Sequence, residues 1–172
     1  LPEMKGKDSA DKNNVMYAQW VKDGLIIETS GNVVDDNEVL AKVEELSQIY
    51  KIECIAYDNY RSHHLVSNFV ELGLTVQEFR QGFKSMTAPT LEIEKQIMRR
   101  NYNHFGNKVL QWMVGNSVVK NGDSGAVKIQ KDIRQPHKKI DGVITNIMAY
   151  GLWLDNPDAS GTYLEESDIF FI

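Results

Sequence analysis

One cysteine, four prolines and no apolar stretch of bilayer length are the first constraints on this 172-residue chain. The lone Cys54 excludes an intrachain disulfide framework and a cysteine metal knuckle, and inside the apolar run 52–57 it reads as a small buried hydrophobe. No segment approaches the about 20 apolar residues that a membrane-spanning helix needs. No basic-then-apolar leader opens the chain either, so a soluble, intracellular protein without a membrane partner is expected. Positive charge is not in excess: 19 Lys and Arg stand against 24 Asp and Glu, for a net charge of -5. That balance excludes a uniformly basic nucleic-acid coat but not an enzyme with a local basic rim beside an acidic cluster. A glycine-rich loop carrying Gly-Lys-Ser or Gly-Lys-Thr is missing, which excludes a P-loop ATPase from this stretch of chain. Leu1 also stands without an initiator Met, so the chain reads as an excised piece.

What is present patterns as an α/β protein. At 42% hydrophobic residues, the chain can bury one ordinary core, and a single domain over 1–172 is expected, with 1–14 as a polar arm or loop and 155–172 as a tail. Met16, Trp20 and Val21 are spaced for a short helix ended by Gly24, and 25–29 reads as a strand. Asp35 or Asp36 caps a helix over 37–50, in which Val39, Leu40, Val43 and Leu46 form one face. The run 52–57 predicts a strand covered on both faces and ending at Asp58, followed by a helix over 62–72 with Gly73 as its stop and a strand over 75–79. Strand, helix, strand in this order predicts parallel pairing through crossovers. A helix is predicted from about Thr90 to Asn101, a second over 110–116, a hairpin around Asn121-Gly122-Asp123-Ser124-Gly125, and a buried helix over 140–154.

Two carboxylates stand out. Asp58 ends a buried strand and Asp141 begins a buried helix, and such positions can hold a hard divalent cation, which prefers oxygen ligands and retains several waters. Spacing alone equally allows Asp58 to be a turn or capping residue and Asp141 to be a helix N-cap. His104 is either a ligand to a phosphate or metal-bound water, or a loop hydrogen-bonder near Gly106, while His63 and His64 read as exposed helix residues. Arg134-Gln135-Pro136-His137-Lys138-Lys139 is a basic loop running into Asp141, able to meet DNA phosphates or simply to be solvated. Arg61, Arg80, Lys84 and Lys108 are further candidates for a basic rim. Asn116 is either an amide supporting the site or a polar strand end, and Tyr60, Phe83 and Trp112 are core or site-wall aromatics.

The motifs together go further than any one of them. Tyr57-Asp58-Asn59-Tyr60-Arg61, Glu78-Phe79-Arg80-Gln81-Gly82-Phe83-Lys84-Ser85-Met86, and Pro89-Thr90 with Glu92 come first. His104-Phe105-Gly106-Asn107, Val109-Leu110-Gln111-Trp112-Met113, Asn116 with Val118 and Val119, and Lys139-Ile140-Asp141-Gly142-Val143 with Met148-Ala149 follow in order. With the upstream Gly31-Asn32-Val33-Val34-Asp35, this set resembles the nuclease half of tailed-phage terminase large subunits, over about residues 17–154.

The resemblance implies an RNase H-like mixed β-sheet flanked by helices. It implies an endonuclease that cuts concatemeric double-stranded viral DNA with Mg²⁺ or Mn²⁺ in a two-metal site. Asp58 and Asp141 would be its catalytic metal ligands, with Arg61, Arg80, Lys84, His104, Lys138 and Lys139 toward DNA and Asn116 in support. Implied partners are the terminase ATPase motor domain, the small terminase subunit and the portal, in the cytoplasm of a bacterial host and at the procapsid. The family also takes an Asp from the first strand of the fold, which would lie upstream of Leu1. Asp8 and Asp11 lie in no strand pattern and Asp35 and Asp36 read as caps, so the isolated chain is expected to carry two of three principal ligands and to lack full activity. The rival expectations are a non-catalytic module docking the motor to the portal, and a junction resolvase of the same fold.

Overall fold

The computed structural model describes residues 14–29, 34–60, 62–135 and 137–156, which fall in two compact units divided between Ile52 and Glu53. In the first unit, α1 (Asn14–Lys22) ends where Gly24 adopts φ 70° and the amides of Leu25 and Ile26 both turn back to the Trp20 carbonyl, at 2.8 and 3.3 Å. That closure explains why the predicted strand over 25–29 does not form beyond a single bridging pair at Thr29: its first amides complete a helix end instead of a ladder. Helix α2 (Asp36–Ile49) begins as expected, with the Asp35 carboxylate accepting the Asn37 amide at 2.9 Å.

The second unit carries the candidate site. Strand β1 (Ile55–Tyr57) pairs in parallel with β2 (Val76–Glu78) in the register Ile55↔Val76, Ala56↔Gln77, Tyr57↔Glu78. Helix α3 (His63–Glu71) is the crossover between them, and Gly73 at φ 78° turns the chain out of it. The Ile55 amide to the Thr75 carbonyl (2.9 Å) and the Phe79 amide to the Tyr57 carbonyl (2.8 Å) extend the pairing at both ends. β1 is shorter than its apolar run and half-buried throughout, so among the described residues it is not the doubly covered strand that the run suggested.

Helix α4 (Phe83–Met98) starts well before the predicted Thr90, with Pro89 inside it. Proline disfavours a helix interior because it lacks an amide and clashes with the preceding turn. Here its ring is buried in the core, and the tertiary contact outweighs the lost hydrogen bond. Helix α5 (Lys108–Gly115) is capped by Asn107, whose side chain accepts the Leu110 amide at 3.0 Å. The hairpin β3 (Ser117–Asn121) and β4 (Val127–Lys131) pairs antiparallel, and Ser124 and Gly125 take positive φ in its connection, as a tight return requires. Helix α6 (Asp141–Asp155) then packs on α4, α5 and β1. Helices flanking small parallel and antiparallel sheets make the mixed α/β fold that the sequence predicted.

Phe79, Met86, Ile93, Ile147, Met148, Tyr150 and Leu152 form the core, with Cys54 and Ala56 packed against it from β1 and its approach. Burial pushes the Cys54 thiol above its ordinary value, so it remains a protonated small hydrophobe. The closest approach is at Gly151, where an added Cβ would lie 2.6 Å from Phe79 Cε2 and 3.3 Å from Pro89 Cγ. Gly151→Ala should therefore destabilise the domain by about 1–3 kcal/mol through overpacking. Met86→Ala, at a fully buried large side chain, should cost about 2–5 kcal/mol. Equilibrium urea denaturation measures both, and an unchanged midpoint for Gly151→Ala would show that Phe79 yields.

Candidate metal centre and its basic surround

Asp58 is the residue after β1, and its placement follows from local bonds. Its Oδ1 accepts the Tyr60 amide at 3.2 Å and its carbonyl accepts the Ser62 hydroxyl at 2.5 Å, so strand end, turn and the start of α3 are tied together. The turn role allowed from spacing is thus real and occupies one carboxylate oxygen of a half-buried residue. Tyr60, read as a wall aromatic, is exposed, whereas Phe83 and Trp112 are half-buried.

Asp141 differs. The N-cap of α6 is Ile140, with no side-chain capping bond, and Asp141 is the first helical residue, with an exposed side chain. The capping alternative therefore does not account for it, although an acidic residue in a first turn does suit the positive end of the helix dipole. Its backbone is held firmly from several directions. The Gly142 amide, a donor without an intrahelical acceptor, points at Met113 Sδ at 3.1 Å, and a Cβ on Gly142 would lie 2.9 Å from that sulfur. The Gly142 carbonyl accepts Asn146 Nδ2 at 2.6 Å, and Asn146 Oδ1 accepts the Tyr102 hydroxyl at 3.1 Å. Burial raises the Tyr102 hydroxyl above its ordinary value, so it stays a donor in this chain of bonds. Asn116 is buried, and its Nδ2 donates to the Lys139 carbonyl at 3.0 Å, two residues before Asp141. Sequence reasoning singled out Asn116 but missed Met113, Asn146 and Tyr102. The one available signal was Gly142, whose missing side chain marks a close approach.

Helix α6 runs opposite to β1 and β2. Its last turns share a hollow with Glu53, Cys54 and Thr75 at the strand starts, Gly151 meets Phe79, and Met148 accepts Gln81 Nε2 at 3.9 Å beyond the strand ends. The first turn of α6, with Asp141, therefore lies past the strand ends, at the end of the layer where Asp58 sits. In kind, two carboxylates suit a hard divalent cation such as Mg²⁺ or Mn²⁺. In number they are few, because no cluster of three or more His, Cys, Asp or Glu side chains able to hold a metal occurs among the described residues.

The cations singled out from the sequence are not equivalent. Arg80 follows β2 and its Nε pairs with Glu78 at 3.0 Å. Arg134 is engaged by Asp132, which also accepts the Arg134 amide at 2.9 Å and Gln135 Nε2 at 3.4 Å. The Arg134 guanidinium holds the Asp132 carboxyl below the usual carboxylate range. Lys139 and His137 are exposed, Lys138 is half-buried, Lys84 is exposed on the first turn of α4, and Lys108 is exposed on the first turn of α5. His64 is exposed as expected. Arg61 and the side chain of His63 lie outside the described residues. His104 lies among the apolar walls of a cavity between α4, α5, α6 and the hairpin, with Nδ1 buried and without a hydrogen-bond partner among the described residues.

Comparison with known proteins fits this arrangement to a family. Residues 2–156 match the family described as "Terminase large subunit, endonuclease domain". Among curated proteins, "Protein YmfN" of Escherichia coli (strain K12) is 28% identical over 137 residues, covering 78% of this chain and 30% of that protein. "Terminase, large subunit" of Enterobacteria phage HK97 is 26% identical over 152 residues, covering 87% of this chain and 30% of that protein. The crystal structure of the HK97 bacteriophage large terminase superposes with a TM-score of 0.70 at 28% identity, over 79% of this chain and 28% of that one. The chain thus spans about 30% of the length of these curated relatives.

Asn116→Ala leaves the Lys139 carbonyl without its donor, and should lower stability by about 1–3 kcal/mol. It should also broaden the amide signals of residues 137–142, and sharp, unshifted signals there would rule out the tether. The Asp132 turn should depend on pH with a definite sign. Because its folded-state value is depressed, its contribution is complete above the ordinary carboxylate range and is lost as pH falls through the depressed value. Amide exchange at Arg134 and Gln135 should accelerate over that acid range, and Asp132→Asn should abolish the dependence.

Proposed function

The chain belongs to the endonuclease-domain family of terminase large subunits, and on that premise we propose that it supplies the DNA-cutting site of a phage packaging machine, hydrolysing concatemeric double-stranded DNA with Mg²⁺ or Mn²⁺. The single observation that carries the catalytic part is the placement of two acids: Asp58 after a strand, and Asp141 at the head of a helix whose N-cap is another residue. Asp58 keeps its second oxygen outside the described turn bond, and Asp141 presents its whole carboxylate at the surface. These two side chains would hold the metal. When bound, two divalent ions supply a water activated for attack on the phosphodiester and neutralise the charge on the departing oxygen.

The remaining roles belong to the chain's own side chains. Lys138 and Lys139, delivered beside Asp141 by the Asp132 turn and the Asn116 tether, offset phosphate charge as DNA nears an acidic site. Lys84 and Arg80 flank the strand ends and orient the backbone, with Arg80 leaving Glu78 to do so. That exchange is inexpensive, since an exposed ion pair contributes only about 0–1 kcal/mol. Contacts of this kind read backbone and not base edges, so little sequence preference is expected. By analogy with the terminase relatives, an ATPase motor domain, the small terminase subunit and the portal are the partners proposed, acting in the cytoplasm of the bacterial host and at the procapsid. Among the described residues no helix is long and apolar enough to cross a membrane.

The test is Mn²⁺-dependent nicking of supercoiled plasmid by this chain, alone and extended upstream by the first strand that the family resemblance implies, each also carrying Asp58→Ala or Asp141→Ala. Cleavage by the extended form should fall at least about 100-fold with either substitution, in the range seen when essential catalytic groups are removed, and titration should show weaker Mn²⁺ binding by both variants. Nicking that survives both substitutions would overturn the site. Equal Mn²⁺ affinity of wild type and variants, with no nicking by any form, would favour a docking module. Strong preference for branched over linear duplex would favour a resolvase.

A further inference from the structure

Behind the acidic end, α4, α5, α6 and the hairpin enclose a half-open cavity of about 790 Å³. Its size falls in the range of about 300–1,000 Å³ typical of ligand sites. Ile93, Ile97, Val127, Ile129, Val143 and Ile147 make its walls apolar. Ile97, Val114 and Val119 at the cavity are 52%, 55% and 56% exposed, values at which large aliphatic groups face water. Two polar atoms within it, Thr90 Oγ1 and His104 Nδ1, are buried and lack a hydrogen-bond partner among the described residues. Buried polar groups are rarely left unmatched. A wholly hydrocarbon occupant would leave both unmatched. A peptide would meet the walls with its side chains, and its backbone amides and carbonyls would meet the hydroxyl and the imidazole nitrogen.

We propose that the occupant is the chain's own segment 169–172, Ile-Phe-Phe-Ile, folded back from the end of α6. Of the residues outside the described set, only this segment has four consecutive apolar side chains, whereas 1–13 is dominated by polar and charged residues. The tether is sufficient. Ile147 lines the cavity and α6 ends at Asp155, a return of about 12 Å at 1.5 Å per residue. The 13 steps from Asn156 to Ile169 can span up to about 45 Å. Glu165, Glu166 and Asp168 precede the apolar four and suit a solvated approach over the surface. Covalent attachment raises the local concentration of the segment to about the millimolar range, so modest intrinsic affinity is enough to fill the cavity. This inference is independent of the nuclease assignment, because it uses neither Asp58 nor Asp141.

The experiment is nuclear Overhauser spectroscopy on the complete 172-residue chain, labelled at Ile, Val and Phe. The proposal expects contacts from the Phe170 and Phe171 rings to the methyls of Val143, Ile147 and Val127. It also expects those methyl resonances to move when Phe170→Asp and Phe171→Asp are introduced together, a change outside the described core that leaves β1, β2 and α6 intact. Absence of the contacts, or methyl shifts identical in wild type and the double variant, would overturn it. Contacts seen only between differently labelled copies in a mixed sample would also overturn it, assigning the cavity to a second copy of the chain.

Discussion

The close approach at Gly151 governs the second unit. With only a hydrogen on that residue, Phe79 and Pro89 reach the axis of α6, so the end of β2 and the middle of α4 are packed on one point of one helix. A side chain there would push α6 away from the strands, and with it the turn that carries Asp141. Protein interiors are too densely packed to absorb such a shift locally. The buried proline inside α4 belongs to the same constraint: a residue unfavourable to a helix interior is retained where its ring fills the space opposite a glycine.

The other end of α6 is anchored differently. There, polar and sulfur contacts fix the backbone: Met113 on the Gly142 amide, Asn146 on its carbonyl with Tyr102 donating to Asn146 in turn, and Asn116 on the Lys139 carbonyl. Apolar packing sets where the helix lies, and directional bonds set how its first turn is presented. A metal ligand needs the second kind of control, because coordination tolerates errors of a few tenths of an ångström and packing alone permits more. Under the proposed assignment, Asp58 would obtain it from a strand end and an adjoining turn, and Asp141 from a braced helix start. The chain carries a net charge of -5 yet sets Lys138 and Lys139 shortly before Asp141, a local basic stretch that the global charge conceals.

Much of this was legible in the sequence, because hydrophobic periodicity reports burial directly. The parallel order of β1 and β2, the helices α1, α2, α3, α5 and α6 and the hairpin all follow from spacing, caps and turn residues, and the combined motifs pointed to the terminase nuclease family. The failures have one cause. Residues 25–29 have strand composition but their first amides close α1, and 83–88 look like a loop before a proline but continue α4. In both cases a bond or contact made outside the segment itself, to Trp20 just upstream in the first and to the α6 face in the second, overrode local preference.

By itself, the sequence determined the family, the element order and the two acids worth attention, because those depend on residue type and spacing. Only the tertiary structure decided what each of those residues does locally. It gave Asp58 a turn bond, relieved Asp141 of capping, tied Arg134 and Arg80 to neighbouring carboxylates, and set His104 in the wall of an apolar cavity. Which local bond a side chain makes depends on the turn its backbone adopts, and the burial of α6 against Phe79 and Pro89 relates segments distant in the chain; residue type and spacing carry neither.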